Sequence, residues 1–119
     1  MNKKILLVED DNCLRESLTM VLQENDFEVV NIADGKGALK SLQQNKFDAI
    51  ILDDNLPFIQ GQDLLGLIRI QNPSVKIILM SGLFKPDDIN NIKKKGADFI
   101  MEKPFEPDVI INILRKMDE

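Results

Sequence analysis

The sequence contains no histidine, no tryptophan and no tyrosine, and only one cysteine, Cys13. Without histidine there is no imidazole metal site and no Ser-His-Asp or Cys-His nucleophilic centre, and without tyrosine there is no tyrosine phosphorylation. A lone thiol forms no internal disulfide, and neither a signal segment nor an apolar run of about 18 residues is present. These absences point to a cytoplasmic chain with no membrane span, in which Cys13 reads as a small packed side chain and not as a redox nucleophile. Positive charge is also short, with 15 lysines and arginines against 20 aspartates and glutamates and a formal charge of -5. That is the wrong sign for affinity built on neutralising nucleic-acid phosphates, so direct nucleic-acid binding is not expected. The chemistry left to this chain uses carboxylates, hydroxyls and lysine.

What is present suits one domain. The 119 residues are 44% hydrophobic and 29% charged, enough to bury a core, and no linker or low-complexity stretch divides residues 1–119. Ile5-Leu6-Leu7-Val8 is a continuous apolar run, read as a strand buried on both faces, and it ends in Glu9-Asp10-Asp11-Asn12. Leu14, Leu18, Val21 and Leu22 then recur at helical spacing until Asn25-Asp26. The same alternation returns four times. Phe27, Val29 and Val30 precede a helix opened by Asp34-Gly35, and Ala49 to Leu52 ends in Asp53-Asp54 before a helix carrying Leu64, Leu65 and Ile68. Val75 to Met80 ends at Ser81-Gly82 before a helix started by Pro86-Asp87-Asp88. Phe99-Ile100-Met101 runs into Glu102-Lys103-Pro104 before Val109, Ile110, Ile113, Leu114 and Met117. Five such units predict an α/β fold with a doubly wound parallel sheet covered by helices on both faces. Lys93-Lys94-Lys95 reads as a solvated helix end set against the helix dipole, not as a nucleic-acid patch.

Open parallel sheets bind ligands outside the carboxyl ends of their strands. Glu9 and Asp10 follow the first strand, Asp53 the third, Ser81 the fourth and Lys103 the fifth. One acid at one strand end is ordinarily a turn former or a cap, and capping accounts for Asp11 or Asn12, but that explanation does not cover the set. Two carboxylates about 4 Å apart repel by roughly 4 kcal/mol at an effective dielectric of 20, so three together call for raised pKa values or a cation. An all-oxygen donor set with few ligands suits Mg2+ better than a Ca2+ cage. Open coordination positions would accept phosphate oxygens, with the lysine and the hydroxyl holding the others, which leaves one carboxylate as nucleophile.

Leu7-Val8-Glu9-Asp10-Asp11, Leu52-Asp53-Asp54-Asn55-Leu56-Pro57, Met80-Ser81-Gly82 and Glu102-Lys103-Pro104-Phe105 together resemble the receiver (response regulator) domains of two-component signalling, over essentially the whole chain. The resemblance implies a five-stranded sheet of order 2-1-3-4-5, a flavodoxin-like (CheY-like) three-layer sandwich. It implies that Asp53 accepts a phosphoryl group from a sensor histidine kinase. It further implies that Asp10 ligates Mg2+ directly and Glu9 through water, with the Asp53 carboxylate and the Asn55 carbonyl as the other protein ligands. Ser81 and Lys103 would hold phosphoryl oxygens, and the Lys103-Pro104 bond would be cis. Asp54 competes as acceptor on chemistry, but the motif favours Asp53. The switch aromatic of the family falls at Ile100, with Phe99 expected to face the other side of the strand, which leaves open whether Ile100 or Phe99 takes the place of the switch aromatic. The implied output surface is the fourth helix, fifth strand and fifth helix, serving a homodimer, a downstream effector or a fused output domain.

Three rival readings are separable. A phosphatase of the haloacid-dehalogenase kind also uses an aspartate nucleophile with Mg2+, but it places a second aspartate where this chain has Asn55. A flavodoxin-like FMN carrier would meet repulsion between the flavin phosphate and Glu9-Asp10-Asp11. A phosphate-independent pseudo-receiver would not need Asp53, Ser81 and Lys103, all of which are intact.

Overall fold

The structure, a computed structural model, describes residues 2–82 and 85–117. Five strands, β1 (Lys4–Val8), β2 (Glu28–Ile32), β3 (Ala49–Asp53), β4 (Lys76–Ser81) and β5 (Phe99–Glu102), alternate with five helices. The helices are α1 (Asn12–Glu24), α2 (Gly35–Gln44), α3 (Gly61–Gln71), α4 (Pro86–Lys95) and α5 (Pro107–Lys116). All strand pairs are parallel and the order is β2-β1-β3-β4-β5, as the family resemblance implies. Strand order therefore reverses between β1 and β3, which opens a crevice at their carboxyl ends.

Alternation along the central strands sorts the core into two layers. Leu6, Val8, Ile50, Leu52, Ile77 and Leu79 face one side with Ala38, Leu64, Leu65, Ile68 and Ile92 from α2, α3 and α4. Ile5, Leu7, Ile51, Ile78 and Met80 face the other with Leu18 and Leu22 of α1 and Ile110, Ile111 and Leu114 of α5. Burial on both sides explains why β1 and β3 read as unbroken apolar runs. Ile100 packs in the first layer and Phe99 in the second, so the two residues do face opposite sides of β5.

Local chemistry sets the helix ends. Asp11 and Asp34 are the N-caps of α1 and α2, accepting from Leu14 N at 3.0 Å and Gly37 N at 2.7 Å, which satisfies donors that a helix start leaves unpaired. At α4, Asp88 reaches back to accept from Lys85 N at 3.2 Å. Lys93, Lys94 and Lys95 are exposed at its far end, and Gly96 takes φ 125°, a conformation that costs a side chain dearly. Arg69 of α3 donates to Gly96 O at 2.6 Å and Val75 O at 2.7 Å and pairs with Asp98 at 2.8 Å, stapling the sheet edge opposite the crevice.

Cys13 departs from expectation. It is exposed, because it lies off the Leu14, Leu18, Val21, Leu22 stripe that turns α1 toward the sheet. Among the described residues, no helix is long and apolar enough to cross a membrane.

Candidate functional site

A cleft of about 720 Å³ opens at the carboxyl edge of the sheet, and Glu9, Asp10, Asp53, Ser81 and Lys103 all line it. Parallel strands bring these residues together from four strand ends. Glu9 follows β1 directly and its N–H donates to Ile32 O at 3.0 Å, extending the ladder by one residue, while Asp53 and Ser81 are the last residues of β3 and β4. Lys103 follows β5, its N–H donating to Ser81 O at 2.8 Å, and its peptide bond to Pro104 is cis.

Glu9 and Asp53 are buried, at 0% and 3% exposure, and Asp10 is exposed. Lys103 Nζ bridges the buried pair, 2.8 Å from Glu9 Oε1 and 3.0 Å from Asp53 Oδ1. The Asn55 N–H also donates to Asp53 Oδ1, at 3.3 Å. One carboxylate oxygen from each of Glu9, Asp10 and Asp53 lies within 4.8 Å of the other two. Glu9 Oε2 is buried with no hydrogen-bond partner. Three acids against one ammonium, with one carboxylate oxygen desolvated and unpaired, is an arrangement that a hard dication completes. The donor set therefore fits Mg2+, with the carboxylates of Glu9, Asp10 and Asp53 converging in the cleft.

The electrostatics carry the same strain. Burial, then the hydrogen bond and charge of Asp53, push the Glu9 carboxyl from its ordinary 4.5 up to about 7, against the pull of Lys103. Burial alone would lower the Lys103 ammonium, but its bonds to Glu9 and Asp53 outweigh that and raise it. Because the fold binds the Glu9 proton more tightly than the unfolded chain does, the stability this group contributes is complete below its unfolded pKa and is lost as pH rises through about 7. In EDTA, the melting temperature is expected to fall between about pH 5 and pH 8, and Glu9→Gln to flatten that slope. A wild-type slope that persists in the variant would show that other groups set it.

Some of what shapes the site has no local signal in the sequence. Asp54 turns toward α3, where its Oδ2 accepts from Gln62 at 3.5 Å, and it is outside the converging triad. Gly61 closes the loop after Asp53: its N–H donates to Asp54 O at 2.8 Å, and a Cβ there would run into Asp53 O and Asp54 Cα. Gln60 lines the cleft beside it. Arg15 of α1 donates to Glu9 O at 2.9 Å and to Asn12 Oδ1 at 2.6 Å. A glycine opening a helix straight after a proline-containing loop was the one available hint of close backbone approach.

The family model of the response regulator receiver domain matches residues 5–115. The chain is 34% identical over 116 residues to the response regulator protein FleR of Pseudomonas aeruginosa, covering 98% of this chain and 24% of FleR. It is 32% identical over 114 residues to the chemotaxis protein CheY of Listeria monocytogenes, covering 95% of this chain and 96% of that protein. The solved structure of the chemotaxis response regulator CheY4 of Vibrio cholerae superposes with a TM-score of 0.91 at 30% identity over 98% of both chains. This chain thus spans under a quarter of FleR and nearly all of CheY. These likenesses favour neither the phosphatase nor the flavin carrier nor the pseudo-receiver reading. With a family model matched from the first strand to the last helix, a relative 32% identical along nearly its whole length and a solved structure superposing at a TM-score of 0.91, the chain belongs to the receiver domain family of two-component response regulators.

Proposed function

We propose that this receiver takes a phosphoryl group onto Asp53 from the phosphohistidine of a sensor histidine kinase and passes the change to an output surface. The observation that supports it most is the Lys103 bridge between buried Glu9 and Asp53 beside a third carboxylate. Lys103 and the Asn55 N–H both hold Asp53 Oδ1, which sets the rotation of the carboxylate and leaves Oδ2 to attack. The new bond joins that oxygen to phosphorus as the N–P bond breaks, and the imidazole nitrogen keeps the electron pair and takes a proton from water. The Asp53 carboxylate becomes an acyl phosphate, and its ammonium partner is then placed to hold a phosphoryl oxygen. The buried Ser81 hydroxyl, in the same cleft, would donate to another. Bound Mg2+, held by Glu9, Asp10, Asp53 and the Asn55 carbonyl, would supply charge neutralisation at the phosphoryl oxygens.

A hydrogen bond from Ser81 to a charged phosphoryl group is worth roughly 1.5 to 3 kcal/mol, the size of a typical allosteric coupling. Ile100 packs against the core cluster that includes Ile92 and Ala97, so the response at this position is aliphatic repacking in place of an aromatic rotation. The face of α4, β5 and α5 exposes part of Ile89 and Val109, which suits contact with an effector, a fused output domain or a second copy of the chain.

Incubation with acetyl phosphate and Mg2+ is expected to add a single phosphoryl group by intact mass, and EDTA to abolish the addition. Undiminished labelling in EDTA would overturn the reading.

A further inference from the structure

We infer that Arg15 is a positioning residue for the cation site: its guanidinium pins the peptide between Glu9 and Asp10 so that two consecutive carboxylates converge on one point. The inference rests on the reading of Glu9, Asp10 and Asp53 as cation ligands. Consecutive side chains in an extended chain point to opposite faces, so Glu9 and Asp10 meet only if the backbone turns between them and stays turned. The structure shows what holds that turn. Before it, the Glu9 N–H is tied to Ile32 O at 3.0 Å. After it, Asp11 caps α1 and its carbonyl accepts from Arg15 N at 2.9 Å. The Glu9 carbonyl in the middle, past the end of β1, accepts from Arg15 Nη1 at 2.9 Å. The other arm of the same guanidinium donates to Asn12 Oδ1 at 2.6 Å, so the planar fork spans the whole turn from Glu9 to Asn12.

Without the fork the carbonyl of Glu9 loses its charged donor, and the Glu9-Asp10 peptide gains freedom to rotate. Such a rotation changes the separation of the two carboxylates while leaving the apolar layers untouched. Arg15 would thus act through Glu9 and Asp10, touching neither phosphate nor cation. Outer-sphere partners of metal ligands typically account for about 10- to 100-fold in affinity. A lysine at this position keeps the charge but not the fork.

The experiment is Mg2+ titration calorimetry on the wild type, Arg15→Met, Arg15→Lys and Asp10→Asn, paired with acetyl phosphate labelling rates across Mg2+ concentration. Arg15→Met is expected to weaken Mg2+ binding about tenfold and to recover the wild-type labelling rate once Mg2+ is saturating. Arg15→Lys is expected to fall between them. Mg2+ affinity within about twofold of wild type in Arg15→Met, or a labelling defect that saturating Mg2+ leaves in place, would overturn the inference while Asp10→Asn still reports the site. If Arg15→Met does not fold, Arg15→Lys decides alone, with wild-type affinity counting against the inference. Should Asp10→Asn bind Mg2+ as the wild type does, the cation site itself is wrong and the inference goes with it.

Discussion

Asp53→Asn is expected to reduce phosphoryl incorporation from acetyl phosphate to below about one-thousandth of the wild-type rate, a loss of about 4 kcal/mol of transition-state stabilisation. A carboxamide has the shape of the carboxylate it replaces but neither its charge nor its nucleophilic oxygen. Fold should survive the change: Asp53 sits at the end of β3, and Lys103 Nζ keeps its 2.8 Å contact with Glu9 Oε1. Asp53 is one of the groups that raise the Glu9 pKa, so the variant should also hold the Glu9 proton less tightly. Circular dichroism checks the fold and intact mass checks the label. Labelling near the wild-type rate, mapped by peptide mass to Asp54, would move the acceptor to the neighbour that now faces Gln62.

The second large effect is on stability. Gly61→Ala is expected to destabilise the chain by about 2 to 4 kcal/mol, because its Cβ would press on backbone that has nowhere to go. That Cβ would lie 2.5 Å from Asp54 Cα and 3.0 Å from Asp53 C, both main-chain atoms at the end of β3. Relief requires α3 to back away from β3, and the Gly61 N–H to Asp54 O bond is lost with it. Gly66, five residues further along α3, supplies the internal control. A Cβ there meets nothing within 4 Å, so Gly66→Ala should stabilise by roughly 0.5 to 1 kcal/mol through helix propensity alone. Urea unfolding of the two variants measures both, and equal effects would remove the close-approach argument.

The elements were legible where local rules decide them. Continuous apolar runs marked β1 and β3 because both faces of those strands are covered, and Asp34-Gly35 announced α2 because the Asp34 carboxylate caps it. The edges blurred where the signal is shared: Phe27 lies just outside β2, its N–H still donating to Leu22 O of the preceding helix end, and Val75 lies just outside β4. Of the site, the charged groups could be gathered from strand ends, since parallel pairing carries every carboxyl end to one edge. Arg15 could not, because neither its residue type nor its place in the α1 pattern announces that its guanidinium turns back to the Glu9 carbonyl, and Gly61 left only the hint of a glycine opening a helix. Arg69 is hidden for a different reason, as a polar helix residue whose acceptors at Val75 and Gly96 come from two other segments. The exposure of Cys13 was readable from the helical stripe, since its position is off it.

The Lys103 to Glu9 contact joins residues 94 apart in the chain. Among the described residues lining the cleft the one lysine follows β5, so a polypeptide emerging from the ribosome carries the acids of β1 and β3 before the ammonium that neutralises them. The paired arrangement of acids and ammonium thus waits until β5 has docked beside β4.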